Sequence, residues 1–285
     1  MSEFQQISIL GVGLIGGSIG LAAQKYQVAE RVVGIGRKEE KLAQAQRQGC
    51  CTETTTDWEA GIREADLIIV CSPVEAIVPW VERMVPFCKA GAVITDAGST
   101  KQQIVETLHR SETVRGRKDV HFVGSHPMAG SDKSGCEHAT ADLYRDRLTI
   151  VTPVAETDRV ALTKVRQFWE ALGSRVLERS PSEHDVAVAV TSHLPHVIAG
   201  LLAAATPEAL LELTGTGWAD TTRVAAGDIE LWRQILTTNR GHVLRSLGNF
   251  EKLLSAFRAS LDAGQDEQWI TLLKQGKHHR DIVGS

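Results

Sequence analysis

An excess of charge of either sign is missing from this 285-residue chain, which has 31 Lys and Arg against 35 Asp and Glu, a net charge of −4. That balance excludes the basic surface of a nucleic-acid groove or a polybasic membrane patch. Cysteine is sparse and odd in number: Cys50, Cys51, Cys71, Cys88 and Cys136, without a CxxC spacing. A disulfide framework and a zinc site are therefore not expected, and reduced thiols in a cytoplasm are. The start, Met1-Ser2-Glu3-Phe4-Gln5-Gln6, lacks the basic segment of a secretory leader, so none is expected. Internal repeats, low-complexity tracts and charge runs are absent. The longest apolar stretch, Val186 to Ala205, is interrupted by Thr191, Ser192, His193, Pro195 and His196. A buried helix is expected there rather than a membrane span.

What is present suits a folded two-domain protein, because 42% hydrophobic residues are ample for a core. Up to about residue 180, short β-type runs alternate with helical patterns. The runs are Ile7–Leu10, Arg31–Ile35, Leu67–Cys71, Val93–Thr95, His121–Val123, Leu148–Val151 and Arg175–Leu177. Leu67–Cys71 is apolar throughout, as a strand covered on both faces must be. The predicted fold is α/β, an N-terminal doubly wound sheet over 1–180 followed by an all-helical unit over 181–285. In the second part, helices are predicted at about 184–205, 207–215, 228–260 and 265–277, with Ser182 and Asp185 forming a capping-box-like start.

The first run leads into Gly11-Val12-Gly13-Leu14-Ile15-Gly16, a GxGxxG segment between a strand and a helix. The first glycine permits a tight turn, the second lets the backbone approach a pyrophosphate, and the third lets helix and strand pack closely. In this setting the segment predicts dinucleotide binding by Gly11, Gly13, Leu14, Ile15 and Gly16, a Rossmann-type arrangement. Ser72, directly after the Leu67–Cys71 run, is assigned to the same cofactor site. At the end of the second run stand Gly36 and Arg37, with no carboxylate to hold both ribose hydroxyls. Arg37 suits a 2′-phosphate, so NADP is expected, with NAD as the alternative. The competing reading of Arg37 is an ordinary solvated arginine.

Two further segments follow apolar runs, where open α/β sheets bind ligands: Thr95-Asp96-Ala97-Gly98-Ser99-Thr100-Lys101 and Gly124-Ser125-His126-Pro127-Met128-Ala129-Gly130-Ser131. An imidazole with a pKa near neutrality suits a general base that takes the proton of an alcohol as hydride leaves. That is the role expected of His126, with Ser99 orienting the imidazole or the substrate hydroxyl. The competing reading is a hydrogen-bonded structural histidine.

These segments, with Ser192-His193-Leu194-Pro195-His196 and Trp218-Ala219-Asp220-Thr221-Thr222-Arg223, together resemble the prephenate/arogenate dehydrogenase family of tyrosine biosynthesis over nearly the whole chain. The resemblance implies oxidative decarboxylation of a cyclohexadienyl acid, with prephenate as the leading substrate and arogenate as a second. It implies His126 and Ser99 as catalytic residues, and Arg223, His193 and Ser131 as substrate-binding ones. It also implies a homodimer built by the helical part. Asp220, three residues before Arg223, is placed to hold the guanidinium if the segment is helical. Asp228 and Glu230 are candidates for recognising an ammonium on arogenate. His193 and His196 could share a helix face, but no third ligand completes a metal set. His196 is left without a role, and Trp232 and Asn239 read equally well as core. Pro195 is expected to kink its helix.

Two other functions fit part of the pattern. A hydroxyisobutyrate- or phosphogluconate-type dehydrogenase shares the two-domain plan, but it resembles a pattern with a catalytic lysine, and no lysine occurs from His184 to Ala205. A non-enzymatic NADP-sensing protein needs the glycine loop alone. At 285 residues the two units leave no room for a fused mutase or regulatory domain, so feedback by tyrosine is expected to act at the active site.

Overall fold

The computed structural model describes residues 3–130 and 133–284. Four apolar strands form the centre of the sheet: β1 (Phe4–Leu10), β2 (Ala29–Ile35), β4 (Leu67–Val70) and β5 (Val93–Asp96). With β3 (Glu53–Thr55), β6 (His121–Pro127), β7 (Leu148–Thr152) and β8 (Arg175–Glu178) they make one eight-stranded sheet in the order β3-β2-β1-β4-β5-β6-β7-β8. All neighbours are parallel except β6 and β7. The chain leaves β1 towards β2 and returns on its other side as β4, so the crevice at the carboxyl ends of β1 and β4 is the topological switch point.

Alternating side chains feed two cores. Ile7, Ile9 and Ile69 face one layer with Ile19, Phe168 and Trp169, while Leu10, Ile68 and Val70 face the other with Ile77, Val81 and Leu108. Helix α1 (Leu14–Lys25) and α7 (Arg159–Ala171) lie in the first layer. Helices α4 (Val74–Met84) and α5 (Gln102–Arg110) lie in the second. The short helices α2 (Glu39–Arg47), α3 (Trp58–Ile62) and α6 (Glu112–Gly116) complete the connections.

Seven of the eight strands coincide with runs visible in the sequence. β3 does not, because it is a three-residue polar edge strand that buries no apolar face. β6 runs on past Val123 to Pro127, where β7 supplies an antiparallel partner; His126 lies inside the strand, opposite Ile150.

The chain turns helical at α8 (Pro181–Val188). Its cap is Ser180, whose side chain and that of Glu183 bond each other's backbone N–H groups; this corrects the expected Ser182–Asp185 box. The register differs because Pro181 occupies the first helical position. A π-helical turn, Ala189–His193, joins α8 to α9 (Leu194–Ala205). Pro195 has no N–H to give the preceding turn, and the widened turn absorbs that loss. After a 3-10 turn at Glu208–Leu213, where a helix over 207–215 is expected, come α10 (Thr216–Thr222) and a second 3-10 turn, Arg223–Ala226. The predicted helix 228–260 is two helices, α11 (Ile229–Thr238) and α12 (Arg240–Asp262), broken at Asn239; α13 (Asp266–Val283) ends the fold.

The span Pro181–Ala205 is 25 residues long and apolar enough to cross a membrane by length and composition alone. The buried helix expected here is buried on one face only: His184, Asp185, His193 and His196 are buried, and Val186, Val190, Leu201 and Leu202 are exposed.

Candidate active site

The glycine loop is fixed by close approach. Gly11 has a φ of +97°, and a Cβ there would stand 2.5 Å from the carbonyl oxygen of Cys71. A Cβ on Gly16 would stand 2.2 Å from the oxygen of Gly11, so α1 can approach β1 only through glycine. Gly13, which caps α1, has no atom within 4 Å of its added Cβ, so its face is open to a ligand. Buried Tyr144 donates from its hydroxyl to the Ile15 carbonyl at 2.7 Å and pins the first turn of α1. An open second glycine beside the free N–H groups of a helix start fits a dinucleotide pyrophosphate. Arg37, exposed just beyond β2, has no hydrogen bond or ion pair among the described residues.

The loop opens on a cleft of about 500 Å³. Gly11, Gly13, Leu14, Ile15 and Gly16 line one side, with Ser72 beside them. Ser99 and His126 line the other, and Leu231 of α11 reaches it from the helical part. Eight of the residues singled out in the sequence thus meet at the switch point.

A buried carboxylate fixes the two chemical loops. Asp96 Oδ2 accepts from the Gly98 N–H at 2.9 Å and from the ammonium of Lys101; Oδ1 accepts from the Ser125 N–H at 3.1 Å. Asp96 and Lys101 are both fully buried. Ser125 Oγ in turn donates to the Asp96 carbonyl at 2.6 Å and receives the indole N–H of Trp169 at 3.0 Å.

His126 is half-buried on the cleft, and its Nδ1 is 2.9 Å from Nε2 of His184. His184 Nδ1 is 2.7 Å from Asp185 Oδ1, and neither residue is appreciably exposed. The Asp185 carboxylate also accepts from the N–H groups of Lys101 at 2.8 Å and Gln102 at 3.0 Å, at the start of α5. Burial, then the neighbouring His184 and Lys101, pushes the His126 pKa well below its ordinary 6.5. Burial also lowers His184, against the pull of Asp185. His126 is therefore neutral, as a proton acceptor must be.

The other sequence-derived residues lie elsewhere. His193 is buried in the helical layer, its Nδ1 3.1 Å from Asn239 Nδ2 and its ring edge-on to Trp232. Burial lowers its pKa to about 4. Arg223 opens the second 3-10 turn, exposed, and has no ion pair with Asp220 or any other described residue. Asp228 caps α11, and Glu230 bonds Arg233 and Gln234. Ser131 lies outside the described residues.

The sequence assigns no role at the site to Asp96, Lys101, His184 or Asp185, the last being expected only in a helix cap. Asp96 and Lys101 stand in the segment that follows an apolar run at a strand end, but His184 meets His126 across 58 residues and carries no local signal. His196 stacks on Trp232 with ring centroids 3.4 Å apart and has a buried Nδ1 without a partner among the described residues. Such an atom is one that a ligand's polar group can satisfy.

A Rossmann-type sheet, an open glycine loop and an imidazole at the switch point define a nicotinamide-dinucleotide-dependent dehydrogenase. The family model of the prephenate dehydrogenase nucleotide-binding domain matches residues 19–178, and that of the prephenate dehydrogenase dimerization domain matches residues 180–275. The chain belongs to the prephenate dehydrogenase family. It is 32% identical over 279 residues to cyclohexadienyl dehydrogenase of Zymomonas mobilis, covering 95% of this chain and 92% of that one. It is 31% identical to prephenate dehydrogenase of Bacillus subtilis over 282 residues, 96% of this chain and 75% of that one. The crystal structure of prephenate dehydrogenase from A. aeolicus with hydroxyphenyl propionate and NAD+ superposes with a TM-score of 0.89 at 31% identity, covering 98% of each chain.

Proposed function

We propose that this protein oxidatively decarboxylates prephenate, and arogenate as a second substrate, in tyrosine biosynthesis, using NADP in preference to NAD. The observation that carries the reading is the imidazole of His126 on the cleft that the glycine loop opens and that Ser99 also lines. The bound nicotinamide supplies the hydride acceptor. His126 takes the proton of the ring hydroxyl through its free nitrogen, and Ser99 holds that hydroxyl in line. Loss of the ring carboxylate as CO2 leaves its bonding pair to aromatise the ring, and the phenolate oxygen takes the proton back. No proton is gained or lost overall.

Arg223, unpaired and at the turn into α11, binds a substrate carboxylate bidentately, with His193 and Ser131 as further substrate-side residues. Arg37, free at the end of β2, binds the 2′-phosphate of NADP. Residues 1–180 act as the dinucleotide-binding unit and 181–285 as the helical unit for substrate binding and dimerisation. The working form is a cytoplasmic homodimer. Exposed leucines on α9 and α12, including Leu201, Leu244, Leu254 and Leu261, support that assembly.

Steady-state kcat/KM on both acids with both cofactors tests the reading. Turnover is expected with at least one acid, and His126→Asn is expected to keep cofactor binding while losing at least about a hundredfold in kcat. Arg37→Ala is expected to raise KM for NADP by roughly tenfold or more and leave that for NAD unchanged. Absence of wild-type turnover on either acid overturns the substrate assignment, and a clear NAD preference overturns that of the cofactor.

A further inference from the structure

Behind His126 stand two side chains that do not border the cleft. A carboxylate can only accept, so the 2.7 Å contact between His184 Nδ1 and Asp185 Oδ1 puts the proton on His184 Nδ1. His184 Nε2 then carries a lone pair, and the 2.9 Å contact to His126 Nδ1 puts the His126 proton on Nδ1. His126 Nε2 is left as the lone-pair nitrogen. One carboxylate thus sets the tautomers of two rings in series.

We infer that His184 and Asp185 are positioning residues for the acid–base step: they make Nε2 of His126 the acceptor and stabilise the proton while the ring rearranges. The inference rests on His126 being the base. The electrostatic need is plain in the surroundings. Burial disfavours a cation on either ring, and Lys101, at the entrance to α5, adds a like charge. Asp96 from β5 offsets Lys101, and His193 from the π-turn is neutral. Among these groups Asp185 carries the charge that compensates a proton arriving at His126. It is held for that task by the N–H groups of Lys101 and Gln102, which fix both its oxygens. When the substrate proton binds Nε2, the Nδ1 proton of His126 shifts towards His184, and the positive charge spreads to a ring in contact with the carboxylate. When the phenolate recovers the proton, the shift reverses, and the chain of hydrogen bonds returns to its starting state.

The test uses the full-length protein and its variants His184→Gln and Asp185→Asn. Glutamine keeps an acceptor for His126 but breaks the link to the carboxylate. Both variants are expected to lose about 100-fold in kcat with KM within about twofold of wild type. Activity requires neutral His126, so it falls as pH drops through the pKa of that group. Without the charge of Asp185 that pKa falls, and the acid limb of kcat/KM moves to lower pH. A drop in kcat with an unmoved limb, or an unchanged kcat, overturns the inference. If Asp185→Asn fails to fold for loss of the α5 contacts, His184→Gln carries the test. Nitrogen-15 NMR of the wild type gives an independent readout: the proton of neutral His126 is expected on Nδ1, and finding it on Nε2 overturns the inference. If wild type turns over neither acid yet shows that tautomer, the substrate assignment fails and the tautomer chain stands.

Discussion

Asp96 accepts the backbone N–H of Ser125 at 3.1 Å, and this bond ties the strand that carries His126 to the loop that carries Ser99. The same carboxylate takes the Gly98 N–H and the ammonium of Lys101, so a single buried group sets the separation of the two segments proposed to act on the substrate. Rigid support of this kind is what keeps a base and a hydroxyl group in register with a substrate.

Replacing Asp96 by Asn leaves the Lys101 ammonium buried without a counterion. The expected cost is about 3–5 kcal/mol of folding stability, measured by denaturant unfolding. Lys101→Met alone strands the carboxylate and is also strongly destabilising. The double variant, which removes both charges, is expected to recover part of the loss, so the two single costs should not add. Additive costs would show that the pair acts as two independent groups.

The glycine loop separates packing from binding. Gly16→Ala drives a Cβ to 2.2 Å from the Gly11 oxygen and 2.9 Å from Ile9 Cγ2, so α1 must shift away from β1. Loss of stability and of cofactor affinity are both expected. Gly13→Ala meets no protein atom within 4 Å. It is expected to leave the melting temperature unchanged and weaken cofactor binding, because its Cβ projects where the pyrophosphate approaches. Thermal unfolding and cofactor titration of the two variants distinguish the cases.

The central strands and the glycine loop were legible because their signals are local. Leu67-Ile68-Ile69-Val70 has the continuous apolar character of a strand covered on both faces, and Gly11-Val12-Gly13 sits directly at a strand end. β3 was silent because an edge strand of Glu-Thr-Thr has no face to bury. Ser182 imitates the cap because it, too, precedes a carboxylate by three residues; the Asp185 side chain instead turns to α5, 83 and 84 residues back. Asn239 breaks a helix that its neighbours would continue, since its amide is taken by the Asp185 carbonyl and faces His193. Contacts between elements far apart in sequence leave no trace in periodicity, and the His126–His184 link, 58 residues apart, is such a contact.

The buried histidines predict acid lability. His193 has a pKa of about 4 in the fold against an ordinary 6.5. Above pH 6.5 neither folded nor unfolded chain protonates it, and its neutral burial costs nothing. Between 6.5 and about 4 the unfolded chain takes up the proton and the native one does not, so stability falls with falling pH. The loss approaches about 3 kcal/mol at the lower end, from a shift of roughly 2.5 units at 1.36 kcal/mol each. His126 and His184, lowered in the same direction, steepen the slope. Unfolding midpoints measured from pH 8 to 4 should fall most below 6.5, and His193→Gln should show a shallower fall from a lower starting stability. An equal slope in the variant would place the acid sensitivity elsewhere.

The outer face of the helical part makes the last prediction. Leu254 and Leu261 lie seven residues apart on α12 and are 56% exposed each, with Leu244 at 61% and Leu201 of α9 at 58%. Leucines at heptad spacing with no cover within the chain form the kind of stripe that a second copy buries. Leu254→Glu places a charge in that stripe, and burying it without a partner costs more than the contact returns. The variant is expected to run as a monomer in light scattering at micromolar concentration, where wild type is expected to run as the proposed dimer, with far-ultraviolet circular dichroism unchanged. Leu213, 75% exposed on the 3-10 turn outside these two helices, is the control, because a glutamate there is expected to leave the dimer intact. A dimer that survives Leu254→Glu would move the subunit contact off α12.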